Sequence, residues 1–216
     1  MKIRFKHGVG RRFTCRDVFG IFIICLLSVF ICSDKNFSEA LNPPKAYVKV
    51  DRVASFKIVT DPSVSEDQID NIVSSIRLAS DNFENSFGIR LIYCDSEFWP
   101  NDEPSANVLT LRKDIANNPC DIVIAFTTRQ ISGNVSTIGI AAAETVIVRV
   151  HKDARLQGLT LAHEVAHLFW AVHVDKDGMI MSPELKMTEN SWDELNRRII
   201  ILNKYQNFHK YDFLRF

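Results

Sequence analysis

The sequence predicts an α+β domain built on a twisted, mostly parallel sheet. The run Cys120–Phe126 (CDIVIAF) is short and apolar, which is typical of a central strand. Segments rich in β-branched residues lie on either side of it in the chain, at Tyr47–Val59 and Thr145–Val150. A longer apolar run, Leu159–Phe169, indicates a buried helix, so strands and helices share one chain and one core.

The first half of the domain is predicted to contain two strands with a helix between them. Tyr47–Val59 alternates in part between apolar and polar residues, as a strand or a strand pair does. Ser65–Gln68 is a capping box that opens a helix to about Phe83, and Gly88 ends it before the strand Ile89–Cys94. Apolar residues recur at helical spacing in this helix: Ile69, Ile72, Val73, Ile76 and Ala79.

Shorter elements follow. Asp95–Pro119 is polar and interrupted by prolines, which predicts a loop with one short helix. Ile138–Ala142 is predicted to be a short edge strand before the strand Thr145–Val150. Ser191–Glu194 is a second capping box, which predicts a C-terminal helix to about Tyr205. The predicted buried stripe of this helix is Leu195, Ile199, Ile200 and Leu202.

The charge balance argues against one class of partner. The chain has 26 Lys and Arg residues and 26 Asp and Glu residues, so its formal net charge is zero. Because nucleic-acid binding depends on basic surfaces that neutralise phosphates, we expect no nucleic-acid partner. The sequence does not indicate an oligomeric state.

Residues 1–33 differ in composition from the rest of the chain. The stretch Val18–Cys32 has no charged side chain and follows six basic residues, Lys2, Arg4, Lys6, Arg11, Arg12 and Arg16. This order is typical of a secretory signal or a short signal anchor, although the stretch is shorter than the ~20 residues of a full membrane span. We therefore predict a linker at residues 34–45 and an exported domain at residues 46–216. That domain is either membrane-anchored by a single span or released as a periplasmic or secreted protein.

Cys94 and Cys120 are the cysteines that fall within the predicted domain, and each lies at the end of a predicted strand. A disulfide between them fits a compartment outside the cytoplasm. Two free buried thiols are the alternative, and the sequence leaves both open.

The segment Thr160–Pro183 contains the residues best suited to catalysis. His163-Glu164-Val165-Ala166-His167 is an HExxH motif inside the predicted buried helix. Four residues along a helix turn by about 400°, so the two imidazoles project from one face about 6 Å apart. That spacing suits two ligands of one zinc ion, and Glu164 is placed to take a proton from metal-bound water.

A catalytic zinc site needs a third protein ligand, with one position left for water. His173 is the leading candidate. In a continuous helix His173 would lie about 9 Å further along the axis than His167 and off the ligand face. The sequence therefore predicts that the chain turns back near residues 169–172.

These residues resemble the metzincin clan of zinc metalloendopeptidases, whose pattern is HExxHxxGxxH followed by a methionine turn. The match consists of His163, Glu164, His167 and His173, and Ile180–Pro183 is similar to the Met-turn. The chain departs from the pattern at Trp170, where the clan has a glycine that permits the turn. A tryptophan in the left-handed conformation costs roughly 1–2 kcal/mol.

The resemblance implies both a fold and a reaction. The fold would have a twisted, mostly parallel sheet, an active-site helix, a Met-turn and a C-terminal helix, with Ile138–Ala142 as a rim strand that pairs with an extended peptide. The reaction would be peptide-bond hydrolysis by a zinc-dependent endopeptidase acting on a protein or peptide substrate. In it His163, His167 and His173 hold Zn²⁺, and Glu164 assists the attack of zinc-bound water. Met181 would support the ligands through packing.

Two further interpretations stay open. In a gluzincin-like protease the HExxH motif is completed by a downstream glutamate, for which the candidates are Glu184, Glu189 and Glu194. In a catalytically inactive, membrane-tethered binding domain the zinc is structural or absent.

Overall fold

The computed structural model describes residues 49–100, 103–115, 118–186, 188 and 191–208. The predicted leader at residues 1–33 and linker at residues 34–45 lie outside these residues, as does Glu189. None of the helices described is long and apolar enough to cross a membrane.

The described residues form short strands around four α-helices. The strands are β1 (Arg52–Thr60), β2 (Ile89–Phe98), β3 (Ser105–Ala106), β4 (Ile122–Thr127), β5 (Gln130–Ile131), β6 (Gly139–Ala142) and β7 (Thr145–Arg149). The helices are α1 (Ile69–Phe87), α2 (Val108–Asp114), α3 (Ala154–Leu168) and α4 (Glu194–Asn203), and a 3₁₀ turn at Glu66–Gln68 precedes α1.

The main sheet has the strand order β2-β1-β4-β7-β6. Neighbouring strands from β2 to β7 are parallel, and β6 runs antiparallel to β7 at the edge. Strand β4 lies in the middle and every one of its residues is buried. The predicted mostly parallel α+β architecture, the central strand and the edge strand are therefore confirmed.

Side chains of the sheet alternate between two apolar layers. On one face, α1 and α3 cover the larger cluster, to which Ile124 of β4 belongs. On the other face, α2 covers a smaller cluster, to which the neighbouring Val123 belongs. Helix α3 lies close to α1 because Gly158 has no side chain: a Cβ atom there would be 2.9 Å from Cδ2 of Leu78.

Several boundaries differ from the predicted ones. Helix α1 continues to Phe87 and ends at Gly88, whose φ of 65° is left-handed. Strand β2 continues past Cys94 to Phe98, so the predicted loop begins later. Cys94 and Cys120 form a disulfide, so they are not the two free thiols that the sequence also allowed.

Helix α4 differs from the prediction in its N-cap residue and in its buried face. Its N-cap is Asp193 rather than Ser191, because an Asp193 carboxylate oxygen accepts from the Asn196 N–H at 2.9 Å. Asn196 and Ile200 face the core, whereas Leu195 and Leu202 are 54% and 81% exposed. The predicted buried stripe is wrong for these leucines, since at 100° per residue the face centred on Asn196 and Ile200 turns them outward.

Candidate metal centre

Helix α3 carries the HExxH motif into the core. Asp153 caps its first turn, where one carboxylate oxygen accepts from the N–H groups of Arg155 and Leu156 at 2.8 and 3.0 Å. Nearly every residue from Gln157 to Leu168 is buried, since α3 packs against both the sheet and α1. The helix therefore presents His163 and His167 from a rigid element.

The chain turns back immediately after α3, as the position of His173 required. Helix α3 ends at Leu168, and Trp170 has a left-handed φ of 69°. The Ala171 N–H donates to the Ala166 carbonyl at 3.1 Å, and the Trp170 N–H donates to the His167 carbonyl at 2.9 Å. This pair of bonds is a Schellman motif with tryptophan at the position that glycine usually takes.

Contacts with the C-terminal segment hold Trp170 in this conformation. Its indole N–H donates to the side-chain carbonyl of Gln206, and the Gln206 amide donates to the Leu168 carbonyl. These bonds tie the turn to the segment after α4 and offset part of the roughly 1–2 kcal/mol cost of a left-handed tryptophan. The departure from glycine therefore does not prevent the turn.

Three imidazoles converge at the end of this turn. The Nε2 atoms of His163, His167 and His173 are each 3.1 Å from the other two. His163 is buried, His167 is partly buried and His173 is exposed, so the cluster opens to solvent on the His173 side. These three residues are the group of potential ligands that converges within the described ranges.

Backbone carbonyls orient two of the three rings. Nδ1 of His163 lies 2.6 Å from the Ile180 carbonyl oxygen, and Nδ1 of His167 lies 2.8 Å from the Ala171 carbonyl oxygen. Because carbonyl oxygens only accept, each Nδ1 carries the proton and each Nε2 presents a lone pair to the cluster. Burial lowers the pKa of His163 to about 4 and also lowers the pKa of His167, which keeps both rings neutral.

The donor set fits zinc. Two nitrogen ligands at the usual Zn–N distance and a tetrahedral angle stand about 3.3–3.4 Å apart, close to the 3.1 Å separations seen here. Neutral imidazoles whose outer nitrogens donate to carbonyls are typical zinc ligands. Glu184 and Glu194 of the gluzincin alternative are exposed and lie outside the convergent group.

The predicted methionine turn lies beneath His163. Met181 is fully buried, and its carbonyl accepts from the Val174 N–H at 3.0 Å. The Ser182 N–H donates to the Met179 carbonyl at 3.0 Å and closes the turn. The turn thus supplies the Ile180 carbonyl to one ring and, through Met181, holds Val174, the residue that follows His173.

Glu164 lies beside the cluster in an apolar environment. Its side chain is 7% exposed, and burial raises its pKa to about 8. The backbone of Gly139 on β6 passes directly against its carboxylate. The structure therefore places a buried carboxyl group with raised proton affinity on the residue that directly follows His163.

Two residues in this arrangement were not anticipated from the sequence. The sequence places Gly139 in the predicted rim strand Ile138–Ala142, but glycine in a strand can at most hint at a close contact. Asn196 lies outside the predicted buried stripe of its helix, although a polar residue four positions before the core residue Ile200 indicates a buried polar contact.

The fold and the arrangement of its elements are metzincin-like: a mostly parallel sheet with an antiparallel edge strand, an HExxH helix, a sharp turn and a methionine turn. Among solved structures, the chain is similar to archaemetzincin from Methanopyrus kandleri, with 13% identity and a TM-score of 0.56 over 71% of this chain and 96% of that one. It is also similar to metalloproteinase-II from Bacteroides fragilis, with 12% identity and a TM-score of 0.54 over 84% of this chain and 70% of that one. No protein-family model matches the chain, and no curated protein matches it in sequence. At these identities the likeness establishes the fold.

Proposed function

We propose that this protein is a zinc-dependent endopeptidase. The observation that carries the proposal is the convergence of the Nε2 atoms of His163, His167 and His173, each 3.1 Å from the other two, beside the buried carboxyl group of Glu164. The metzincin-like fold supports it, since two proteins that share this fold are named archaemetzincin and metalloproteinase-II.

The three histidines would hold the zinc ion, each through Nε2. When bound, zinc supplies Lewis acidity that polarises a peptide carbonyl and makes water more acidic. Glu164 would accept a proton from the attacking water and return it to the leaving amine. Burial raises the pKa of Glu164 in the metal-free chain, so its carboxylate has a high affinity for the proton that it would take from water.

The outer edge of strand β6 is evidence for a peptide substrate. The Ile138 carbonyl accepts from the Arg149 N–H at 2.8 Å, on the β7 side. Because main-chain groups alternate in direction along a strand, those of Gly139 and Ala141 point to the outer edge. An extended peptide can pair with such an edge, and pairing of this kind requires no chain terminus, which favours internal cleavage.

The Cys94–Cys120 disulfide supports an exported location for the domain. Disulfides persist mainly outside the cytoplasm, which agrees with the predicted signal or anchor at residues 1–33. We therefore place the proposed peptidase outside the cytoplasm, tethered to the membrane if the leader is retained.

The proposal is tested with the full chain purified in detergent. Zinc is quantified by elemental mass spectrometry, and cleavage of a mixed peptide library is followed by mass spectrometry. We expect about one zinc ion per chain and cleavage at internal peptide bonds. Glu164→Gln should retain zinc and lose at least about 100-fold in kcat, the lower range for loss of a general base.

Glu184→Gln provides the matched control, since Glu184 is an exposed carboxylate outside the histidine cluster. It should leave both zinc content and cleavage unchanged. A zinc-loaded wild-type chain that cleaves nothing would instead favour the binding-domain interpretation. Cleavage that survives in Glu164→Gln would rule out the proposed role of Glu164.

A further inference from the structure

Strand β6 passes against Glu164 at a residue without a side chain. A Cβ atom built on Gly139 would lie 2.5 Å from Oε1, 2.6 Å from Cγ and 2.9 Å from Cδ of Glu164. Real Cβ contacts are essentially never shorter than 3.0 Å, so the Glu164 side chain occupies the space that any larger residue at position 139 would need.

The backbone of β6 does not itself require glycine at this position. The φ angle of Gly139 lies outside the left-handed range, so an alanine could adopt the same conformation. The rest of the strand consists of residues with side chains, Ile140, Ala141 and Ala142. The close approach to Glu164 is therefore the physical reason for a glycine here.

Packing, rather than hydrogen bonding, sets the orientation of the Glu164 carboxyl group. Across the described ranges, the structure records no hydrogen bond or ion pair to either carboxylate oxygen, and the side chain is 7% exposed. On the β6 side, the surface that limits the carboxyl group is the backbone of Gly139. A methyl group added at position 139 must therefore change where the carboxyl group lies.

We infer that Gly139 is a positioning residue for Glu164, a role that rests on the proposed peptidase function. The bare backbone at Gly139 leaves room for the Glu164 carboxyl group to lie directly against β6. The same residue directs its main-chain groups to the outer edge of β6, where the proposed substrate pairs. Gly139 thereby fixes the general base relative to the strand that would hold the peptide.

The activity test uses Gly139→Ala in the full chain. An added methyl group must push the Glu164 carboxyl group aside, and a displacement of about 1 Å from productive geometry can cost about 100-fold in rate. We expect kcat to fall by about 10- to 100-fold. KM should stay within about twofold, because the main-chain groups that pair with peptide are unchanged. Zinc content should not change.

Gly133→Ala is the matched control. It also adds a methyl group to a glycine of the same domain, but at a left-handed φ of 71° and with no atom beyond its chain neighbours within 4 Å, so it strains the backbone without contacting Glu164. It should lower thermal stability and leave the kcat of the folded enzyme unchanged. A Gly139→Ala enzyme with kcat within twofold of the wild type would overturn the inference.

A second measurement tests the contact without relying on activity. Thermal unfolding is followed for Gly139→Ala, Glu164→Ala and the double variant. Because Glu164→Ala removes the overlapping atoms, the loss of Tm caused by Gly139→Ala should disappear in that background. An equal loss in both backgrounds overturns the inference. If the wild type proves inactive, the proposed function fails, and this cycle still decides whether Gly139 positions Glu164.

Discussion

Asn196 of α4 holds the main chain of Val172 through two hydrogen bonds. The Val172 N–H donates to Asn196 Oδ1 at 2.8 Å, and Asn196 Nδ2 donates to the Val172 carbonyl at 2.9 Å. Asn196 is fully buried and its amide also donates to Asp193, at 2.8 Å. Since Val172 directly precedes His173, the C-terminal helix sets the position of the proposed third ligand.

Replacing Asn196 with leucine should weaken zinc binding without removing a ligand. The variant leaves the buried polar groups of Val172 without a partner, which costs about 1–3 kcal/mol per group. We expect zinc affinity to fall by about 10- to 100-fold, as for other changes that disturb ligand orientation. Competition with a fluorescent chelator measures the affinity, and urea unfolding measures the stability.

Asn203→Leu serves as the comparison for this prediction. Asn203 lies on the same helix, and its amide donates only locally, to the Ile199 carbonyl at 2.9 Å. Its loss should change neither zinc affinity nor the position of His173. Equal zinc affinities for the two variants would show that α4 does not position the ligand.

The features predicted from sequence are those with a local physical cause. The HExxH spacing brings two imidazoles to one helix face wherever a helix forms, so His163 and His167 could be paired from sequence alone. The turn after Phe169 followed from the same logic, because His173 can reach the cluster only if the helix ends. Strand β4 was identifiable because a strand buried on both faces leaves a continuous apolar run.

The features missed depend on contacts between segments far apart in sequence. The outward orientation of Leu195 and Leu202 follows from the burial of Asn196, which in turn depends on its bonds to Val172 in another segment. The requirement for glycine at position 139 appears only when β6 lies over α3. Local periodicity carries no information about either contact.

Replacing His173 with alanine distinguishes the metzincin-like ligand set from a gluzincin-like one. If His173 is a ligand, zinc affinity should fall by more than the 10- to 100-fold of an orienting residue, that is, by at least about 100-fold. Glu194→Gln should have no effect, because Glu194 is exposed and pairs with Arg198 at 2.9 Å. The opposite pattern, measured by the same chelator competition, would indicate a glutamate ligand.

The stability of the metal-free protein should fall as the pH rises from about 6.5 to about 8. Burial raises the pKa of Glu164 from 4.5 to about 8, so the folded state binds more protons than the unfolded state between these values. Stability from this group is complete below pH 4.5 and is lost as the pH rises through 8. The expected loss is about 1–2 kcal/mol over this interval, since the slope is at most about 1.4 kcal/mol per pH unit.

Two of the histidines, His163 and His167, act in the opposite direction but at lower pH. Burial lowers the pKa of His163 from 6.5 to about 4, so its contribution is complete above pH 6.5 and is lost as the pH falls toward 4. Between pH 6.5 and 8 Glu164 therefore dominates the slope. Urea unfolding in the presence of a chelator measures it, and Glu164→Gln should flatten the curve. A wild-type stability that rises over this interval would contradict the prediction.

Comparing two substitutions at Trp170 isolates the strain in the turn. Trp170→Gly and Trp170→Ala both remove the indole and its bond to Gln206, so they differ only in backbone preference. At φ of 69° glycine adopts the left-handed conformation freely, whereas alanine costs roughly 1–2 kcal/mol. We expect the glycine variant to be more stable than the alanine variant by about 1 kcal/mol and to bind zinc at least as tightly. Equal unfolding free energies in urea would mean that the turn relaxes to a negative φ once the tryptophan is gone, and His173 would then lose its fixed position.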